Sequence, residues 1–173
     1  MKDIVKKELD TLLDLMGIEA DYEISTEKND DTEYIKVSFS GDNLGYLIGG
    51  HGKHLDSLQF VLSLILRKHL GEESNYRVLL DVCGYRKERD EKLEKFALQK
   101  ADDARILGEP VDLPPMKASD RRVVHMTLQV FDDIKTESHG EDRDRHIRIV
   151  PITEEEMGVV SASNEESEEE SEE

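Results

Sequence analysis

The chain has 173 residues, with 41 Asp and Glu against 23 Lys and Arg and a net charge of −18. That length suits one average domain or two small ones, and so acidic a chain is excluded from wrapping long duplexes by bulk charge. A single cysteine, Cys83, excludes an intrachain disulfide and any multi-cysteine zinc site.

The acidity is uneven. From Thr153 to Glu173 there are ten Glu and no Lys or Arg, which leaves 31 acids against 23 bases in the rest. A small, locally basic surface is compatible with that balance. The longest apolar run, Phe60 to Leu66, is interrupted by Ser63 and falls far short of the roughly 20 residues of a membrane span. The opening MKDIVKKELD lacks the apolar core of a signal peptide. The expectation is a soluble, cytoplasmic protein with no membrane insertion.

Along the chain, Val5, Leu9, Leu12, Leu13 and Met16 recur at helical spacing and predict an amphipathic helix over 2–16, ended by Gly17. Tyr22–Thr26 and Ile35–Phe39 read as strands, with the polar stretch Glu27–Glu33 as the loop between them. A short apolar segment, Leu44–Ile48, precedes Gly49-Gly50-His51-Gly52. A long helix then follows, marked by Leu55, Leu58, Leu62, Ile65 and Leu66, and a third strand at Tyr76–Val82. Residues 85–107 read as one charged helix with a thin stripe at Leu93, Phe96, Leu98 and Ala101. Its near balance of bases and acids favours a solvated face over a nucleic-acid tract. Gly108, Pro110, Pro114 and Pro115 mark a linker. A helix over about 119–131 and strands at Ile134–Ser138 and His146–Val150 close the folded part. The Glu/Ser tail has too little apolar surface to fold and is expected to be disordered.

The most informative stretch is Ile48-Gly49-Gly50-His51-Gly52-Lys53. Three glycines in four residues allow a tight turn and close backbone approach, and the following helix points its free N–H groups into that turn. A nucleotide P-loop would need G-x-x-x-x-G-K-[ST] after a strand. Here Leu47 replaces its first Gly, His54 its Ser/Thr, and the preceding segment looks helical. The GXXG loop of a KH domain, which clamps a short stretch of single-stranded backbone, needs helix–loop–helix beside a three-stranded sheet. That element order is the one read above, and it outweighs a plain glycine connection between helices.

In Ser119-Asp120-Arg121-Arg122-Val123-Val124-His125, Arg121 and His125 stand at i,i+4 and are predicted to share one exposed polar face. Phosphate or a base plane could meet the guanidinium and imidazole there. By spacing alone, a solvated helix face with an incidental histidine is the commoner outcome. Lys135, Arg143, Arg145 and Arg148 add basic residues near the end of the fold. Catalysis leaves little trace. The six histidines are scattered, no Ser/His/Asp elbow is present, and Cys83 reads as a buried apolar residue without an adjacent base. No enzyme and no cofactor or metal is expected.

Taken together, YLIGGHGKHLDSLQFVL, YRKERDEKLEKFA and PVDLPPMKASDRRVVHMTLQ followed by DIKTESHGEDRDRHIRIVP resemble the bacterial Jag/KhpB (EloR, SpoIIIJ-associated) family of RNA-binding proteins. The resemblance implies an α+β fold: a type II KH domain (1–83), a long charged connecting helix (84–107), a small R-3-H domain (108–152) and the acidic tail (153–173). It implies binding of single-stranded or structured RNA, partnership with a small single-KH protein or a second copy, and a part in control of cell elongation and division. Carried over by position, the RNA contacts would be Gly49, Gly50, His51 and Gly52 with Ile48 and Lys53 flanking, and Arg121 and His125 with Arg122 beside them. The family loop usually holds two basic residues between its outer glycines. With Gly50 and His51 there instead, phosphate grip should be weaker and depend on His51 protonation. Arg143 stands where the family often has Pro. Because Met1 opens almost directly on the first helix, the extra N-terminal domain of longer members is not expected. The rival reading is a protein-association module in which the helices dimerise and RNA contact is lost.

Overall fold

The computed structural model describes residues 2–71 and 75–152, so the predicted tail lies outside them. The chain divides into two compact units, residues 1–88 and 89–173.

The first unit runs α1 (Lys2–Met16), β1 (Asp21–Asn29), β2 (Thr32–Ser40), α2 (Gly45–Ile48), a single 3-10 turn (Gly50–Gly52), α3 (Lys53–Leu70) and β3 (Tyr76–Val82). The strands form one sheet in the order β1-β2-β3, antiparallel for β1 with β2 and parallel for β2 with β3. A parallel pair needs a long crossover, and α2, the glycine turn and α3 supply it. Alternate residues of β2 and β3 (Ile35, Val37, Phe39, Val78, Leu80, Val82) are buried with Val5, Leu9 and Leu13 of α1 and Leu55, Leu58, Leu62 and Leu66 of α3. Ser38, Arg77 and Leu79 lie exposed on the other face, so the helices cover one side only.

Two expectations change here. Glu27–Glu33 is not a loop: the strands continue through it to a tight turn at Asp30-Asp31, where Asp30 has φ 51°. The backbone ladder runs unbroken through this polar end, and one cross-strand ion pair is added to it, Lys36 Nζ lying 2.5 Å from Glu27 Oε2. Cys83 is exposed, not buried, in a left-handed conformation (φ 51°) at the turn into the next helix.

That helix, α4 (Tyr85–Leu107), starts in the first unit and continues in the second. The Asp81 carboxylate accepts hydrogen bonds from the Gly84 and Arg86 N–H groups, at 2.9 and 3.2 Å, and so satisfies donors at its start. Beyond residue 88, α4 belongs to the second unit. Ala97, Ala101 and Ala104 are fully buried there, whereas Leu98 of the predicted stripe is exposed. The second unit adds β4 (Val111–Asp112), α5 (Ala118–Leu128), β5 (Ile134–His139), a 3-10 turn (Asp142–Asp144) and β6 (His146–Pro151), with the sheet ordered β4-β6-β5 and antiparallel throughout. Its core joins the alanines to Leu113, Val124, Leu128, Ile134, Ile147 and Ile149. Asp120 is buried among them and paired with Arg89.

Candidate nucleic-acid interface

In the first unit the glycine turn holds one position in a conformation that glycine alone sustains and a second in the left-handed region that favours it. Gly49 has φ 67° and ψ −175°, and Gly52 has φ 81° and ψ 13°. A Cβ on Gly49 would lie 2.6 Å from His54 Nδ1 and 2.7 Å from its Cδ2, so the imidazole occupies the space a side chain would need. Gly52 is buried, and its N–H reaches Gly49 O at 3.3 Å. Between them, Gly50 is open, with nothing within 4 Å of an added Cβ, and His51 is exposed at φ 57°. Lys53 opens α3 and is exposed, and its ammonium makes no hydrogen bond or ion pair with another described residue. Ile48 is half-buried at the end of α2. The result is a turn of bare backbone at a helix N-terminus, flanked by an unneutralised cation, into which a phosphate could come close.

In the second unit α5 places Arg121 and His125 one turn apart, but they are not equally exposed as expected. Arg121 is half-buried, and its Nη1 donates to Met116 O at 2.7 Å, holding down the segment before α5. His125 is exposed, with Nδ1 2.5 Å from Thr136 Oγ1 on β5. Met116 N–H donates to Arg145 O at 3.1 Å, and Arg145 Nε donates to Ser138 Oγ at 3.0 Å. Hydrogen bonds therefore connect Arg121 to Arg145 through Met116 and on to Ser138, while His125 separately bonds Thr136 on the same face of β5, the side of the sheet that bears α5.

Lys135 and Arg148 belong to the opposite face. Strand alternation turns Lys135, Glu137 and His139 away from buried Ile134, and Arg148 away from buried Ile147 and Ile149. Both cations are matched by carboxylates. Arg148 grips Asp112 with two hydrogen bonds of 2.7 and 2.8 Å, and Lys135 lies 2.8 Å from Glu137, which also bonds His139 at 2.9 Å. Lys135 and His139 hold the Glu137 carboxyl down to about 2, and Arg148 holds that of Asp112 below its usual range. The His139 and His146 rings stack beside them, 6.4 Å between centroids. By contrast Arg122 and Arg143 are exposed, with no side-chain hydrogen bond or ion pair to other described residues. The predicted basic cluster thus separates into Arg121, Arg145 and the open cations on one hand, and a neutralised pair on the other. Sequence reasoning missed His54, Thr136, Ser138 and the Met116 carbonyl, because each is brought to its place by a contact across the fold.

Residues 6–80 match the family model described as KhpA/KhpB, KH domain, and residues 90–151 match the R-3-H domain model. The chain is 38% identical over 142 residues to the RNA-binding protein KhpB of Clostridium symbiosum, covering 82% of this chain and 62% of that one. It is 30% identical over 143 residues to the protein of the same name in Bacillus subtilis (strain 168), covering 82% and 66%. The protein of that name in Lactiplantibacillus plantarum is 29% identical over 132 residues, 76% of this chain and 39% of that one. The chain therefore spans less than two thirds of the length of these relatives. The glycine turn lies within the KH match and the Arg121/His125 pair within the R-3-H match, so in both its parts and their order the chain belongs to the KhpB family of KH plus R-3-H proteins.

Proposed function

We propose that the chain is a cytoplasmic RNA-binding protein, an RNA chaperone or post-transcriptional regulator and not an enzyme. The glycine turn would hold the backbone of about four nucleotides of single-stranded RNA. Arg121, His125 and Arg145, with Arg122 and Arg143 near in sequence, would supply a second contact, and linkage of the two would raise apparent affinity. The observation that carries this reading is the turn itself: bare backbone at Gly49–Gly52, capping α3 beside a three-stranded sheet, with Lys53 open. The relatives named for RNA binding support it. No helix among the described residues is long and apolar enough to cross a membrane.

The test is binding of a mixed single-stranded RNA pool by wild type, by Gly50→Asp/His51→Asp and by Arg121→Ala/His125→Ala. Gly50 has room for the new side chain, and Asp is among the residues that tolerate the left-handed backbone of His51. Each pair should weaken binding, by about tenfold or more for the loop pair, whose carboxylates would face phosphate. Unaltered binding by the loop variant means that the turn is not the clamp.

One observation favours association through the KH helices as well. Phe60, Val61 and Leu64 are exposed along one side of α3. A second KH domain, from a small single-KH protein or another copy, is the partner this reading names. Leu64→Lys should then lower the assembly size in light scattering while leaving the fold intact.

A further inference from the structure

His54 brings to the turn a chemistry that clamping a phosphate does not use. Its Nδ1 lies 2.8 Å from Tyr46 O, back on α2. A carbonyl oxygen only accepts, so Nδ1 carries the hydrogen, and the neutral ring then presents Nε2 as an acceptor. The ring is exposed, lies against Gly49, and makes no other hydrogen bond among the described residues. An acceptor of fixed tautomer and position therefore stands at the first glycine of the turn. The sugar–phosphate backbone of DNA offers acceptors only; that of RNA adds one donor, the 2′-hydroxyl.

We propose that His54 Nε2 accepts a hydrogen bond from the ribose 2′-hydroxyl of a nucleotide held at the glycine turn, which makes His54 the residue that selects RNA over DNA there. This rests on the reading that the turn holds a nucleic-acid backbone, and it adds what that reading lacks, since backbone N–H groups and Lys53 attract phosphate in either polymer.

The experiment uses the full chain and an RNA of about ten nucleotides selected on it from a random pool. Wild type, His54→Ala and His54→Phe are titrated with this RNA, with DNA of the same sequence, with RNAs carrying one 2′-deoxy nucleotide, and with RNAs lacking one exocyclic amine. His54→Phe keeps a ring against Gly49 and removes both nitrogens. Wild type should lose about three- to tenfold in affinity on 2′-deoxy substitution at one nucleotide. Neither variant should show that loss, and the RNA-to-DNA preference of both should fall by the same factor. Equal weakening of RNA and DNA by both variants would assign His54 a merely structural part and overturn the proposal. So would a wild-type loss that follows an exocyclic amine and not a 2′-hydroxyl. Absence of RNA binding by wild type would overturn the underlying reading itself, a result distinct from either.

Discussion

Gly49 and Gly50 are neighbours with opposite tolerances. Gly49 combines a backbone conformation in the glycine-only region with an imidazole where its Cβ would go, whereas Gly50 is open. Gly49→Ala should destabilise the first unit by about 1–3 kcal/mol, the scale of a strained backbone position, and should displace His54. Gly50→Ala should be close to neutral. Urea denaturation of the two variants checks both statements, and equal midpoints would contradict the contact with His54. The turn was legible in the sequence because tight, positive-φ backbone demands glycine and the residues themselves announce it. The place of His54 was not. It follows Lys53 on an ordinary helical pattern, and only the fold shows its ring turned back onto Gly49 and the Tyr46 carbonyl. Likewise the i,i+4 spacing of Arg121 and His125 on one helix was legible, but not the hydrogen bond of Arg121 to Met116 O, which depends on how the segment before α5 folds.

Among the elements, α4 keeps most of its expected stripe and adds small residues to it. Of Leu93, Phe96, Leu98 and Ala101, Ala101 is fully buried and Leu93 and Phe96 pack half-buried against the core, while Leu98 is exposed; Ala97 and Ala104 are the other fully buried positions, where small side chains bring the helix close to its neighbours. Ala101→Leu should therefore cost the second unit about 1–3 kcal/mol by overpacking, while Leu98→Ala should cost much less. Thermal melts followed in the second unit would separate them. The hairpin of β1 and β2 was under-read for a different reason: its distal half has no buried face, so no apolar alternation marked it, and the backbone ladder carries the strands to the turn. The sheet of the second unit carries its own ion pairs, and these set a pH response. Glu137 titrates near 2 in the fold against about 4.5 in the unfolded chain, so its contribution is present above pH 4.5 and is lost as the pH falls towards 2. Glu137→Gln should be less stable than wild type near neutral pH, and the difference should shrink to nothing over that window. A difference independent of pH would mean that the pairs with Lys135 and His139 contribute nothing through charge.

For the whole molecule the dominant fact is a net charge of −18, ten of whose carboxylates fall between Thr153 and Glu173. A polyanionic segment competes with RNA for the same cations or repels RNA outright. Deleting residues 153–173 should accordingly tighten RNA binding, most clearly at low ionic strength, and an unchanged affinity there would remove the idea. The open position at Gly50 has a further consequence, which concerns how the affinity is adjusted. A side chain can be installed there without disturbing the backbone, so, on the proposed reading, the number of phosphates neutralised at the turn could change one at a time. Each added contact releases condensed counterions, steepening the fall of log affinity with log salt by about 0.7 for a single strand. Gly50→Lys should show that increment, whereas Gly50→Asp, which removes no phosphate contact, should lower affinity without it. On the proposed reading the turn would act as a graded control, one residue setting how strongly ionic strength governs its occupancy by RNA while the fold around it stays the same.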